Sequence, residues 1–137
     1  MAYWLLKSEP DVFSWDDLVA KGAAGEPWTG VRNHTAKLNL MAMKLGDQAF
    51  YYHSQAGKEI VGIAEVIREH YLDPTDPKGV FVCVDIKALK PLPKPFSLAQ
   101  AKADPKLAGM SLVTSFRLSV QPVTQTEWDY ICRAGGL

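Results

Sequence analysis

The chain has 137 residues, 47% hydrophobic and 22% charged, and its fifteen basic and fifteen acidic side chains cancel. That is the size and make-up of one globular domain with its own core, expected to span residues 1–137. The zero balance argues against a broad basic face for nonspecific duplex binding; no apolar run reaches the roughly 18 residues of a membrane span, and no secretory signal is read at the N-terminus.

Residues 3–7, Tyr-Trp-Leu-Leu-Lys, predict a buried first strand. Ser8, Glu9 and Pro10 end it, because proline lacks a donor and restricts the residue before it. Ser14, with Asp17 three places on, marks a helix start, and Trp15, Leu18 and Val19 share a face. Gly22 and Gly25 close that helix and open a loop to Trp28. The next run, 34–44, is apolar on most sides and predicts a largely buried helix. Gly46-Asp47 is a turn.

Residues 48–54 alternate, with Phe50, Tyr52 and Ser54 on one face and Ala49, Tyr51 and His53 on the other. A short loop leads to a second strand, 60–67, so the pair predicts a hairpin. Gly62 inside that strand predicts a bulge or a close approach. The turn-rich stretch 73–79 is a loop. Alternation resumes from Val80, and Pro91, Pro93 and Pro95 are expected to prevent regular pairing beyond it. Ser97 with Gln100 opens a short helix, broken at Asp104-Pro105. A strand is expected over 115–121, with Phe116, Leu118 and Val120 inward. Thr124 with Glu127 opens a last helix, which Gly135-Gly136 stops. About five strands and three or four short helices, without regular alternation, predict an α+β fold: a small, curled, mostly antiparallel sheet or barrel flanked by helices.

Catalytic patterns are missing. The sequence has no His/Cys spacing for a metal, no HExxH, no GxSxG, no Walker A loop and no GxGxxG. His53 and Ser54 are adjacent on a strand, so their side chains point to opposite faces and make a poor nucleophile–base pair. Cys83 and Cys132 form no CxxC pair and suit a reduced, cytoplasmic setting.

Binding chemistry is richer. Trp28-Thr29-Gly30-Val31-Arg32-Asn33 sets an aromatic face, a flexible glycine, a planar fork of donors and an amide beside a helix start. The helix terminus that follows suits a phosphate. From Trp28 to Lys58 the count is Arg32, Lys37, Lys44 and Lys58 against Asp47 alone. The stretch reads as the lip of a pocket for a flat, polar, partly anionic ligand such as a nucleotide. Two plainer readings stand beside it: Asn33 as a helix N-cap, and Trp28 as a core plug. Tyr51-Tyr52-His53-Ser54 ends one strand with rings and hydroxyls, and Lys7-Ser8-Glu9 ends another. One of Tyr51 and Tyr52 belongs to a site on this reading, and Lys7 is a weaker choice.

The order of short motifs resembles the EVE domain family. The motifs are Tyr3-Trp4-Leu5-Leu6-Lys7-Ser8-Glu9-Pro10, Trp28-x-Gly30-Val31-Arg32-Asn33, Gly46-Asp47, Tyr52-His53-Ser54, Gly62-Ile63-Ala64-Glu65-Val66 and Arg117-Leu118-Ser119-Val120-x-Pro122-Val123. Together they span nearly the whole chain. The resemblance implies a PUA-like fold related to the YTH readers of methylated RNA. It implies a non-enzymatic pocket for a modified base flipped out of DNA or RNA, with no cofactor and no metal. Carried over by motif, the pocket is Trp28, Arg32, Asn33, Ser8, Tyr52, His53 and Ser54, with Lys7, Gly30, Val31, Gly62, Arg117 and Ser119 as weaker members. The partner expected is nucleic acid, with no membrane, and a monomer is the default. Many relatives carry a longer segment after the Tyr-x-Asp-Pro turn, ending in Pro-x-Trp; here the loop is short and Phe81 stands at that tryptophan's place. Two rival readings remain: a small nucleotide-processing enzyme with His53 as general base, and a module that binds a peptide or small anion.

Overall fold

The computed structural model describes every residue except Phe116. In chain order the elements are β1 (Tyr3–Ser8), α1 (Trp15–Ala20), β2 (Glu26–Pro27), α2 (His34–Ala42), β3 (Gln48–His53), β4 (Glu59–Leu72), β5 (Val82–Ser97), α3 (Leu98–Ala103), α4 (Ser111–Thr114), β6 (Val120–Val123) and α5 (Gln125–Ala134). The six strands form one mixed sheet in the order β2-β5-β4-β3-β1-β6. Among the described residues only β1 and β3 run parallel; the other neighbours are antiparallel.

Both faces of the sheet are buried because both sets of alternating side chains in its middle strands are apolar. Ala49 and Tyr51 of β3, with Trp4 and Leu6 of β1, join Trp15, Leu18, Ala36 and Leu40 of α1 and α2 on one side. Phe50, Tyr52 and Leu5 join Ala101, Leu112, Trp128 and Ile131 of α3, α4 and α5 on the other. Phe50 and Trp128 stack with ring centroids 3.9 Å apart. Fully burying a side chain such as Leu5 or Phe50 contributes roughly 1.5–3 kcal/mol, so the two faces together hold the sheet between its helices.

Local polar signals place the ends of these elements. Ser14, Ser97 and Thr124 each complete a capping box, with Asp17, Gln100 and Glu127. Buried Asp47 accepts from the Trp4 indole N–H at 3.1 Å and from the Lys44 backbone N–H at 3.0 Å. The Gly46-Asp47 motif therefore ties the turn before β3 to β1.

Several expectations change. Among the described residues there are six strands, because the loop after Gly25 contains β2, which pairs Glu26 with Ile86 and Pro27 with Asp85. Beyond Pro91 the chain still pairs: β5 runs to Ser97, with Gly62 opposite Pro91 and Ile60 opposite Phe96. Two steps on β4 thus face five on β5, and Pro93 and Pro95 sit in that bulge, where no ladder donor is needed. The strand expected over 115–121 begins only at Val120. Before it, the buried Gln121 amide donates to the carbonyls of Ser111, Ser115 and Leu118, which folds the segment back. The expected inward position of Phe116 lies outside the described residues. α2 is not largely buried: Ala36 and Leu40 are enclosed, but Leu38 is 64% exposed. Val19 of α1 is likewise half exposed.

Two glycines govern the approach to the site. Tyr51 pairs with Gly62 and Tyr52 with Ile60, which is a bulge. A Cβ on Gly62 would meet the Trp15 indole at 2.5 Å, so the bulge and the close approach coincide. Gly25 has φ +67°, and a Cβ there would lie 2.2 Å from the Ile86 carbonyl oxygen. That contact lets β2 lie on β5, and the Trp28 N–H then donates to the Val84 carbonyl at 2.7 Å. Trp28 is thereby fixed over the end of the sheet.

Candidate functional site

β1 ends at Lys7 and Ser8, and the segment after β2 runs past this end. Between them opens a cleft of about 450 Å³, within the size range of small-molecule sites. Val12, Phe13, Pro27, Trp28 and Val31 are the apolar members of its lining, and Lys7, Ser8, Glu9, Glu26, Thr29, Arg32 and Ser119 the polar ones. Aromatic rings together with donors and acceptors suit a planar heterocycle.

Trp28 serves both the core and the cleft. It is 8% exposed, lies edge-on to Tyr51 at 5.5 Å and to Phe13 at 6.4 Å, and still lines the opening. The Ser8 hydroxyl and the Tyr51 hydroxyl each donate to the Phe13 carbonyl at 2.7 Å. These bonds hold the 9–13 loop against the end of β1. Burial pushes the half-buried Lys7 ammonium below its ordinary range.

The backbone from Gly30 to Arg32 is latched by Asp73, which sequence reasoning reads only as part of a turn. Its side chain is fully buried. One carboxylate oxygen accepts from the Gly30 N–H at 2.8 Å and from Arg32 Nη1 at 3.1 Å. The other accepts from the Thr75 N–H at 2.7 Å and the Thr75 hydroxyl at 2.6 Å. Burial alone would raise this carboxyl; the bonds from Thr75, the Gly30 amide and Arg32 outweigh it and bring the pKa down to about 2. Arg32 also donates to the Val31 carbonyl and to Thr75 Oγ1, and its guanidinium lies 5.6 Å from the Phe81 ring. The guanidinium expected to hold a phosphate is 38% exposed and is paired with Asp73. An Asp-x-Thr spacing, which closes a side-chain turn on itself, is the signal that could have pointed to the latch.

The remaining candidates separate. Asn33 faces away from this cleft: its Oδ1 accepts from the Ala36 N–H at 2.9 Å as the N-cap of α2, and it lines another cleft with Thr35 and Arg117. Tyr52 and Ser54 line a further cleft with Lys7 and Arg117. Gly62 lies under Trp15. Lys7, Ser8, Trp28, Gly30, Val31, Arg32 and Ser119 do come together. Phe13, Val12 and Glu26 are lining residues that the sequence did not single out.

His53 lines none of these clefts among the described residues. Its Nε2 accepts from the Trp15 backbone N–H at 3.0 Å, which fixes the proton on Nδ1. Burial lowers its pKa, against the raising effect of Glu59 and Asp16. The neutral form is favoured in the fold, so stability falls as pH drops through the ordinary histidine pKa of 6.5. His53→Gln keeps an acceptor for Trp15 and is expected to flatten the loss of melting temperature between about pH 7 and 5. Thermal melts of both proteins across that window check it; an unchanged slope places the titration elsewhere.

The sequence pattern of the EVE domain family matches residues 2–134. The chain belongs to the EVE domain family. Mouse thymocyte nuclear protein 1 is 38% identical over an alignment that covers 94% of this chain and 71% of the relative. That alignment runs over 161 positions, so the relative carries residues this chain lacks. The NMR structure of Rpa0253 from Rhodopseudomonas palustris is 68% identical, with a TM-score of 0.94, covering 99% of this chain and 94% of that one. Human THYN1, solved in complex with DNA containing 5-methylcytosine, is 31% identical with a TM-score of 0.91, covering 100% of this chain and 99% of that one. The fold of this EVE domain is α+β and PUA-like. A YTH domain from Zygosaccharomyces rouxii shares that fold at 12% identity and a TM-score of 0.55. Among the described residues no helix is long and apolar enough to cross a membrane.

Proposed function

We propose that this EVE domain, acting as one unit over residues 1–137, is a non-catalytic reader of a modified nucleobase in DNA or RNA. The base enters the cleft between the end of β1 and the segment Trp28–Arg32. The observation that carries the reading is the open cleft beside Trp28: a buried indole lines it together with the polar residues Lys7, Ser8, Thr29 and Ser119. The human relative captured with 5-methylcytosine DNA supports the ligand class.

Base flipping costs a few kcal/mol and least where the base is already unpaired, so single strands are expected to bind better than duplex. Trp28 walls the base, Ser8 and Ser119 read its edges, and Asp73 holds Gly30 and Arg32 in place. The free thiols Cys83 and Cys132 fit a reducing compartment such as the cytoplasm. Against the enzyme reading stands His53: its Nε2 lone pair is engaged by Trp15 and lies off the cleft. The test is a titration of short single strands, modified and unmodified, at one stated salt concentration. A preference for one modified base supports the reading. Equal affinity for every strand, modified or not, rejects it.

A further inference from the structure

We infer that the second cleft, which shares Lys7 with the first, takes the phosphodiester backbone of the strand whose base enters the first. This rests on the base-reader proposal and adds the path of the strand to it. The cleft encloses about 450 Å³, and Lys7, Lys58, Lys102 and Arg117 line it. Among the described residues no acidic side chain does so. A chain with no net charge has gathered four cations around one hollow. The first cleft differs: Glu9 and Glu26 stand on its lining beside Lys7 and Arg32, so its lining charges balance. A phosphate is favoured less there than among four cations.

Continuity comes from Lys7, which lines both clefts. A strand with its base beside Trp28 leads its backbone past Lys7 toward Lys58 and Lys102. The loop that carries Lys58 is built to hold a fixed shape. Gln55 and Lys58 have φ +67° and +48°, left-handed values that side chains other than glycine rarely adopt. The loop is pinned at both ends, by the Ser54 N–H to the Ser8 carbonyl and the Leu98 N–H to the Lys58 carbonyl, each at 2.8 Å. Lysines act as point charges and carry no sequence information, which suits contacts that position a strand without reading it.

The full chain with Lys58→Gln and Lys102→Gln tests the assignment. Both side chains are exposed, so the melting temperature should not move. The probes are a single strand of about 12 nucleotides with one 5-methylcytosine, its unmodified counterpart, and poly-glutamate of similar charge. Affinity for both strands should fall by the same factor, about tenfold at low salt. The slope of log affinity against log salt should become shallower by about 0.7 per lysine. Lys102→Gln alone, on an ordinary helical backbone, should give about half the slope change. An unchanged slope with the preference for the modified strand intact overturns this inference and leaves the base reading standing. Poly-glutamate that binds as tightly as the strands also overturns it, in favour of an acidic peptide. If the wild-type chain binds no strand at all, both proposals fall.

Discussion

Replacing Trp28 with alanine is expected to destabilise the protein by about 3–5 kcal/mol, the range for deleting a large buried aromatic. For a chain of this length that is a fall in melting temperature of about 12–20 °C. The side chain is 8% exposed and meets Tyr51 and Phe13 edge-on, so its loss opens a cavity next to the sheet. The same change removes one wall of the cleft, and it cannot by itself separate folding from binding. Trp28→Phe can. It keeps an aromatic ring against Tyr51, should cost only a few degrees, and shortens the face presented to a base. Stacking is worth roughly 1–3 kcal/mol per base, so affinity for a preferred strand should fall about tenfold while the fold survives. Calorimetry with a parallel titration measures both. A phenylalanine variant that keeps the parent's affinity and preference would show that the indole serves the core alone.

Asp73→Asn is the second large effect. The carboxylate accepts four hydrogen bonds from Gly30, Arg32 and Thr75. An amide can still accept from Thr75, but its NH2 then faces the Gly30 N–H and the guanidinium, donor against donor. The expected loss is about 2–3 kcal/mol at neutral pH, the range for breaking a buried charge-assisted contact. The pH dependence follows in sign. The folded pKa, near 2, lies below the ordinary 3.8, so Asp73 contributes its full stability above the ordinary value. That contribution, on the order of 2 kcal/mol, disappears as pH falls from about 4 toward 2. The asparagine variant should therefore be weaker at pH 7 and lose less on acidification. Denaturant melts at several pH values check it. Equal acid sensitivity in the two proteins would mean that the latch does not couple to protonation. Binding should weaken too, because Gly30 and Arg32 lose the anchor that sets the cleft's lip.

The parts of the fold that were legible in the sequence are those set by neighbours within a few residues. Capping boxes at Ser14, Ser97 and Thr124 need only a hydroxyl and an acceptor three places on, and all three stand. The alternation from Gln48 to His53 was likewise readable, and so was the bulge at Gly62. The errors came where distant partners decide. Pro93 and Pro95 looked like strand breakers, yet a bulge opposite β4 absorbs them. Residues 115–119 looked extended, yet Gln121 gathers the carbonyls of Ser111, Ser115 and Leu118 from across a turn. The candidate site shows the same division. Trp28, Gly30 and Arg32 stood out as a motif, but the residue that fixes them is Asp73, about forty positions away. Asn33 stood in the same motif and faces another way, because the first turn of α2 claims its side chain.

The direction of β1 has a practical consequence. Residues 3–8 form an interior strand whose last two residues line the cleft. Its first residue thus lies about 17 Å from that opening, at 3.3 Å per step. A fluorophore, an affinity handle or a surface linker joined ahead of Tyr3 leaves the mouth of the hollow unobstructed. Immobilised sensors built that way should report the same affinities as the protein in solution.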